Sequence, residues 1–129
     1  MNKDPVALII RLGALACLSA ALGFAGTWSG DLVDSKCYES EVNNRNPSDT
    51  TTFVDTDRGY EIRYCAPSAT TKFFAIVQPD GVSLMLDTAG NTKAAELVQK
   101  TGKKSVFPVA VTGKEEKGTI QVDSISLAR

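Results

Sequence analysis

Five short stretches of alternating apolar residues, interrupted once by a helical period, restrict this chain more than any other feature does. Trp28, Gly30 and Leu32 alternate with Ser29, Asp31 and Val33, the period of a strand with one buried face. Lys72 to Gln78 is rich in β formers, with Phe73, Phe74, Ile76 and Val77. Val82, Leu84 and Leu86 then alternate with Ser83, Met85 and Asp87. Between these two stretches, Pro79-Asp80-Gly81 is a turn signal, since proline presets φ and glycine accepts positive φ. Ser105 to Thr112 carries Val106, Phe107, Val109 and Val111, and the last strand carries Ile120, Val122, Ile125 and Leu127. Its alternation slips by one at Asp123-Ser124, which a β-bulge absorbs while keeping the four apolar residues on one face. Pro108 belongs at an edge or a bulge, where its missing N–H costs nothing. Thr112 to Gly118 reads as the connecting turn.

The helical period falls between the third and fourth of these stretches. Ala94, Leu97, Val98 and Thr101 lie on one face of a helix, expected from near Asn91 to Lys100. Asn91 or Thr92 is the candidate N-cap, and Gly102 stands where a C-terminal cap belongs. Leu97 and Val98 are expected to cover one end of a barrel, beside Trp28.

Glu39 to Thr52 is polar, with Asn43-Asn44-Arg45-Asn46-Pro47 at its centre, and reads as an irregular excursion from the core. Tyr60, Ile62 and Tyr64 alternate, so an extended segment is expected to lead into Cys65. The fold class expected is therefore mainly β. It is a five-stranded OB-like barrel with one α-helix between strands three and four, preceded by a signal peptide. A generic α+β sheet on one helix is the alternative.

The signal is expected at residues 1–25, and the barrel domain at 26–129 with its polar excursion at 38–71. Lys3 and Arg11 flank a charge-free run from Leu12 to Phe24. The small residues Gly23 and Ala25 mark a cleavage site after Ala25. An uncleaved anchor over Val6 to Ala25 is the alternative. Lipid attachment at Cys17 is weaker, because the chain stays apolar after it. Cleavage removes Lys3, Arg11 and Asp4 from 14 basic and 15 acidic side chains, leaving 12 and 14, a net charge of −2. That balance makes nucleic acid an unlikely partner, since such binding rests on phosphate neutralisation. Lys100, Lys103 and Lys104 form the one basic cluster, at a helix C-terminus where cations meet the dipole favourably. No membrane contact is expected after cleavage.

Of the three cysteines, Cys37 and Cys65 remain in the mature chain. An even pair in an exported domain implies a structural disulfide, closing a loop whose entropy corresponds to about 3.5 kcal/mol. A redox pair is the competing reading.

The ordered strings Trp28-x-Gly30-x-x-x-Asp34-Ser35-x-Cys37, Tyr64-Cys65-x-Pro67 and Phe74-Ala75-Ile76-Val77 run through the chain. Asp80-Gly81, Leu86-Asp87 and Gly90-Asn91-x-Lys93-Ala94 continue them. Val111-Thr112-Gly113 and Ile120-x-Val122-Asp123-Ser124-Ile125 close the series. Together they resemble a family of small exported bacterial proteins known as a domain of unknown function. The resemblance implies export and an OB-like barrel, and it brings no activity. Members of that family are often richer in cysteine, sometimes with a nearby histidine, which this chain lacks. A looser similarity, in architecture and export only, is to periplasmic bacterial OB-fold stress proteins.

The chain contains no histidine, which removes Ser-His-Asp and Cys-His nucleophile systems and the commonest transition-metal ligand. Asp55-x-Asp57-x-Gly59 with Glu61 is a faint calcium-loop pattern without the length of an EF-hand. No catalytic residues, cofactor or metal are expected. OB barrels bind mainly on the face of strands two and three, which directs attention to Phe74, Ser83 and Met85. Phe73 and Phe74 point to opposite faces, so one of them is available to stack on a base or sugar. A second small core beneath the excursion is the competing use of that face. The function expected is an exported, non-enzymatic binding or interaction module whose partner is a protein or a small polar ligand. A periplasmic stress- or cation-responsive OB-fold protein is the alternative, and a small secreted enzyme the third reading.

Overall fold

The computed structural model describes residues 24–45 and 51–128. Five strands close into a barrel in the order β1-β2-β3-β5-β4. They are β1 (Phe24–Asp34), β2 (Phe74–Val77), β3 (Ser83–Leu86), β4 (Pro108–Glu116) and β5 (Thr119–Leu127). Among the described residues three helices accompany them: α1 (Ser35–Asn43), α2 (Thr51–Tyr64) and α3 (Thr88–Thr101). The expected signal, residues 1–25, lies outside the described residues except for Phe24 and Ala25, which open β1. No helix among the described residues is long and apolar enough to cross a membrane.

Closure depends on β1, which is long enough to serve two neighbours. Its first part pairs antiparallel with β4, from Phe24 opposite Glu115 to Asp31 opposite Pro108. Its end pairs antiparallel with β2, Leu32 opposite Ile76. The remaining seam is the short parallel pairing of β3 with β5 at Met85–Thr119 and Leu86–Ile120. Such closure leaves no long unpaired edge. Pro108 occupies the first position of β4, where a missing N–H is tolerated.

The barrel interior holds Leu32, Phe74, Ile76, Leu84, Phe107, Val109, Val111 and Ile120, with Val98 of α3 closing it and Trp28 and Leu97 packed alongside. Ile125 and Leu127 also reach this core because the register steps at one point. Thr112 faces Ser124 but Gly113 faces Val122, so Asp123 is the extra residue of a bulge at the slip read in the sequence. Gly113 makes room for it: a Cβ there would collide with the carbonyl oxygen of Gln121.

The connecting turn is tighter than the expected Thr112–Gly118 loop. β4 continues through Gly113 to Glu116, and the chain reverses at Lys117 and Gly118, both at positive φ. A two-residue turn with two positive φ values matches the twist of the strands it joins.

The larger correction concerns residues 38–71. The expected irregular excursion consists largely of α1 and α2, and the expected extended segment at Tyr60–Tyr64 is the last turn of α2. The Asp34 carboxylate starts α1 by accepting the N–H groups of Lys36 and Cys37, each at 3.1 Å. Tyr38 and Val42 fall one turn apart, as do Val54, Arg58 and Ile62. Tyr38, Ile62 and Cys65 pack with Val33, Ala75 and Val77 into a second core on the outside of β1 and β2. This is why adjacent residues of β1 and β2 are buried on both faces, as happens when a sheet is covered on both sides.

α3 begins three residues earlier than expected and runs Thr88–Thr101. Its cap is neither Asn91 nor Thr92 but Asp87, whose Oδ1 accepts the Gly90 N–H at 2.8 Å. The same oxygen accepts the Val122 N–H at 3.2 Å, so one carboxylate ties α3 to β5. Asn91 instead accepts the Phe74 N–H at 2.9 Å. Gly102 ends the helix at φ 86°, donating to the Val98 carbonyl.

Candidate functional site

Cys37 in the first turn of α1 and Cys65 just after α2 form a disulfide, with Cα atoms 5.5 Å apart. Two backbone hydrogen bonds and one side-chain contact also hold the two helices on the barrel. The Asp34 N–H donates to the Cys65 carbonyl at 2.8 Å, and the Ser35 N–H donates to the Phe73 carbonyl at 2.9 Å. In the middle of α2, Arg58 pairs with Asp55 of the same helix at 2.9 Å. Arg58 also packs its guanidinium against the Gly81 turn, so a Cβ at Gly81 would have to displace it.

Arg45, just past α1, grips Glu61 of α2 through Nε at 3.1 and 3.2 Å and through Nη2. The carboxylate of Glu61 is buried. Arg45 also engages the Tyr38 hydroxyl, and burial pushes the Tyr38 phenol above its usual pKa while the Arg45 charge opposes that shift. The faint calcium pattern at Asp55, Asp57 and Glu61 therefore lies along a helix, with Asp55 and Glu61 engaged by arginines. Among the described residues, no group of three or more histidine, cysteine or acidic side chains is arranged to hold a metal ion.

This helical roof divides the three residues singled out for binding. Phe74 is fully buried in the barrel core and presents nothing to a ligand, which corrects its assignment. Its neighbour Phe73 is the exposed ring, 46% accessible. Ser83 and Met85 stay together on the exposed outer face of β3, opposite the buried Leu84 and Leu86. The β1–β2 part of that outer face is occupied by the second core, so what stays open is its margin beside α1.

There, Ser83 and Met85 line a pocket of about 130 Å³ with Tyr38, Glu39, Val42 and Ala75. Its buried lining is Ala75, the Tyr38 ring and Ser35, with Val42 half-buried. Its exposed lining is Glu39, Ser83 and Met85. Glu39 and Tyr38 are the ionisable groups in its lining. The α1 residues of this pocket escaped sequence reasoning. Their signal was the four-residue spacing of Tyr38 and Val42 behind the Asp34-Ser35 cap, obscured by the polar residues around them.

Comparison with protein-family models, with curated proteins and with solved structures returned no match to this chain.

Proposed function

We propose that this is an exported, non-enzymatic binding module of OB type, which receives one small group of its ligand in the pocket between α1 and β3. The strand order, the shared long β1, the parallel β3–β5 seam and a helix between β3 and β4 support the OB reading. The charge-free Leu12–Phe24 run and the disulfide support export. A single observation carries the binding reading. Ser83 and Met85, on the strand that OB barrels use for ligands, are left open when α1 and α2 cover the rest of that face.

The pocket favours a group of mixed character, an apolar body with one polar tip. Pockets of this kind use apolar walls for affinity and a few polar groups for orientation. The space suits one side chain of a protein partner or a ligand fragment, and no pair of acids converges there for general acid–base chemistry.

The test is a magnetic-resonance screen of small amphipathic fragments against the protein. Fragments are expected to shift the Tyr38, Ser83 and Met85 resonances, and Ser83→Trp is expected to abolish those shifts by filling the pocket. Shifts that persist in Ser83→Trp, or none at these residues, would overturn the assignment.

A further inference from the structure

Phe73 stands at a second concavity, away from the α1–β3 pocket. Its ring lines a cleft of about 400 Å³ between the Thr71–Phe73 segment and α3. One side of the ring is covered by Lys36, whose Nζ lies 4.7 Å from the ring centroid. Lys36 itself does not line the cleft, and Phe73 stays 46% exposed. The backbone on either side is also pinned. The Phe73 carbonyl accepts the Ser35 N–H, and the Phe74 N–H donates to Asn91 Oδ1 at 2.9 Å. An exposed aromatic held on a fixed backbone is a preorganised surface, and binding to it costs little ordering.

The α3 wall carries both donors and acceptors. With its oxygen committed to Phe74, Asn91 keeps its Nδ2 hydrogens as donors. Thr92 donates its hydroxyl to the Thr88 carbonyl at 3.2 Å, which leaves its Oγ1 lone pairs as acceptors. Gln99 and Glu96 lie further along the same face of α3. Lys72 and Glu96 supply one charge of each sign to the lining, and Lys36 adds a cation over the ring. Lys36 and Lys72 disfavour a cationic ligand, and Glu96 disfavours a phosphate.

We propose that this cleft binds one ring of a neutral sugar. The C–H face of a pyranose is slightly positive and suits the negative face of an aromatic ring. Its hydroxyls, each both donor and acceptor, match the mixed set of Asn91, Thr92, Glu96 and Gln99. This reading does not depend on the α1–β3 pocket.

Isotope-labelled protein from its own host, titrated with glucose, N-acetylglucosamine and their β-1,4-linked dimers, tests the proposal. The amide signals of Phe73, Asn91, Thr92 and Gln99 are expected to move, while those of Ser83 and Met85 stay still. Phe73→Ala is expected to weaken binding about three- to tenfold, the range an aromatic contact carries. Gln99→Ala, an exposed change that leaves the fold intact, is expected to weaken it as well. Choline and inorganic phosphate serve as charged probes. No movement with any neutral sugar, a stronger response to either charged probe, or unchanged binding in both variants would overturn the proposal.

Discussion

Arg45 Nε lies 3.1 and 3.2 Å from the two carboxylate oxygens of Glu61, joining the end of α1 to the third turn of α2. The Glu61 side chain is 6% exposed and that of Arg45 19%. Breaking a largely buried pair leaves one charge without a partner. Glu61→Gln is therefore expected to destabilise the protein by about 2 kcal/mol, and the melting temperature measures it. Replacing both partners at once, Arg45→Met with Glu61→Leu, is expected to restore much of the loss. A double variant as unstable as the sum of its parts would contradict this account.

The Cys37–Cys65 bridge closes the loop that contains both roof helices. Converting both cysteines to serine is expected to lower stability by ~2–4 kcal/mol, or roughly 10 °C or more for a domain near this size. Hydrogen exchange should show where the loss falls. Protection is expected to drop in α1 and α2 before it drops in β4 and β5, because the barrel core does not include the helices of the roof.

Asp87 serves two donors, the Gly90 N–H and the Val122 N–H. Asp87→Ala is expected to cost about 2 kcal/mol, a lost cap together with an orphaned strand donor. Thr92→Ala, at a position that local sequence marks as a cap, is expected to stay within about 0.5 kcal/mol of the parent. Urea midpoints compare the two, and equal effects would place the cap at Thr92 after all.

The Asp31 carboxyl is held above its usual pKa by burial. The fold thus favours its neutral form. The contribution is fully present below the ordinary carboxylate range and is lost as pH rises through the raised value. Asp31→Asn is expected to raise the melting temperature at neutral pH by roughly 1–3 °C, a small gain because the group is partly solvated. The gain should vanish at acid pH, where Asp31 itself is protonated. A gain that grows on acidification would reverse the sign argued here.

Local sequence determined much of the barrel. Alternation placed the apolar residues of the strands, the Pro79-Asp80-Gly81 signal placed the β2–β3 connection, and the slip at Asp123-Ser124 located the bulge. The three- and four-residue spacing of Ala94, Leu97 and Val98 placed α3 after β3. Each of these patterns records which residues seek burial and with what period, a property of neighbours along the chain.

Tertiary structure decided what lies on the outside of β1 and β2. The alternation of Tyr60, Ile62 and Tyr64 suggested an extended segment, yet only Ile62 is buried and both tyrosines are exposed. Tyr38 and Ile62 gain from a helical spacing only because Val33, Ala75 and Val77 offer a second apolar surface. That surface exists only once the barrel has closed. The barrel core itself chose between the two phenylalanines, taking Phe74 inward and leaving Phe73 at the cleft. A separate long-range contact accompanies the α3 cap at Asp87, where β5 brings the Val122 N–H to the same carboxylate. A chain's own period states that a residue needs a partner, whereas contacts between segments far apart in sequence determine which partner it meets.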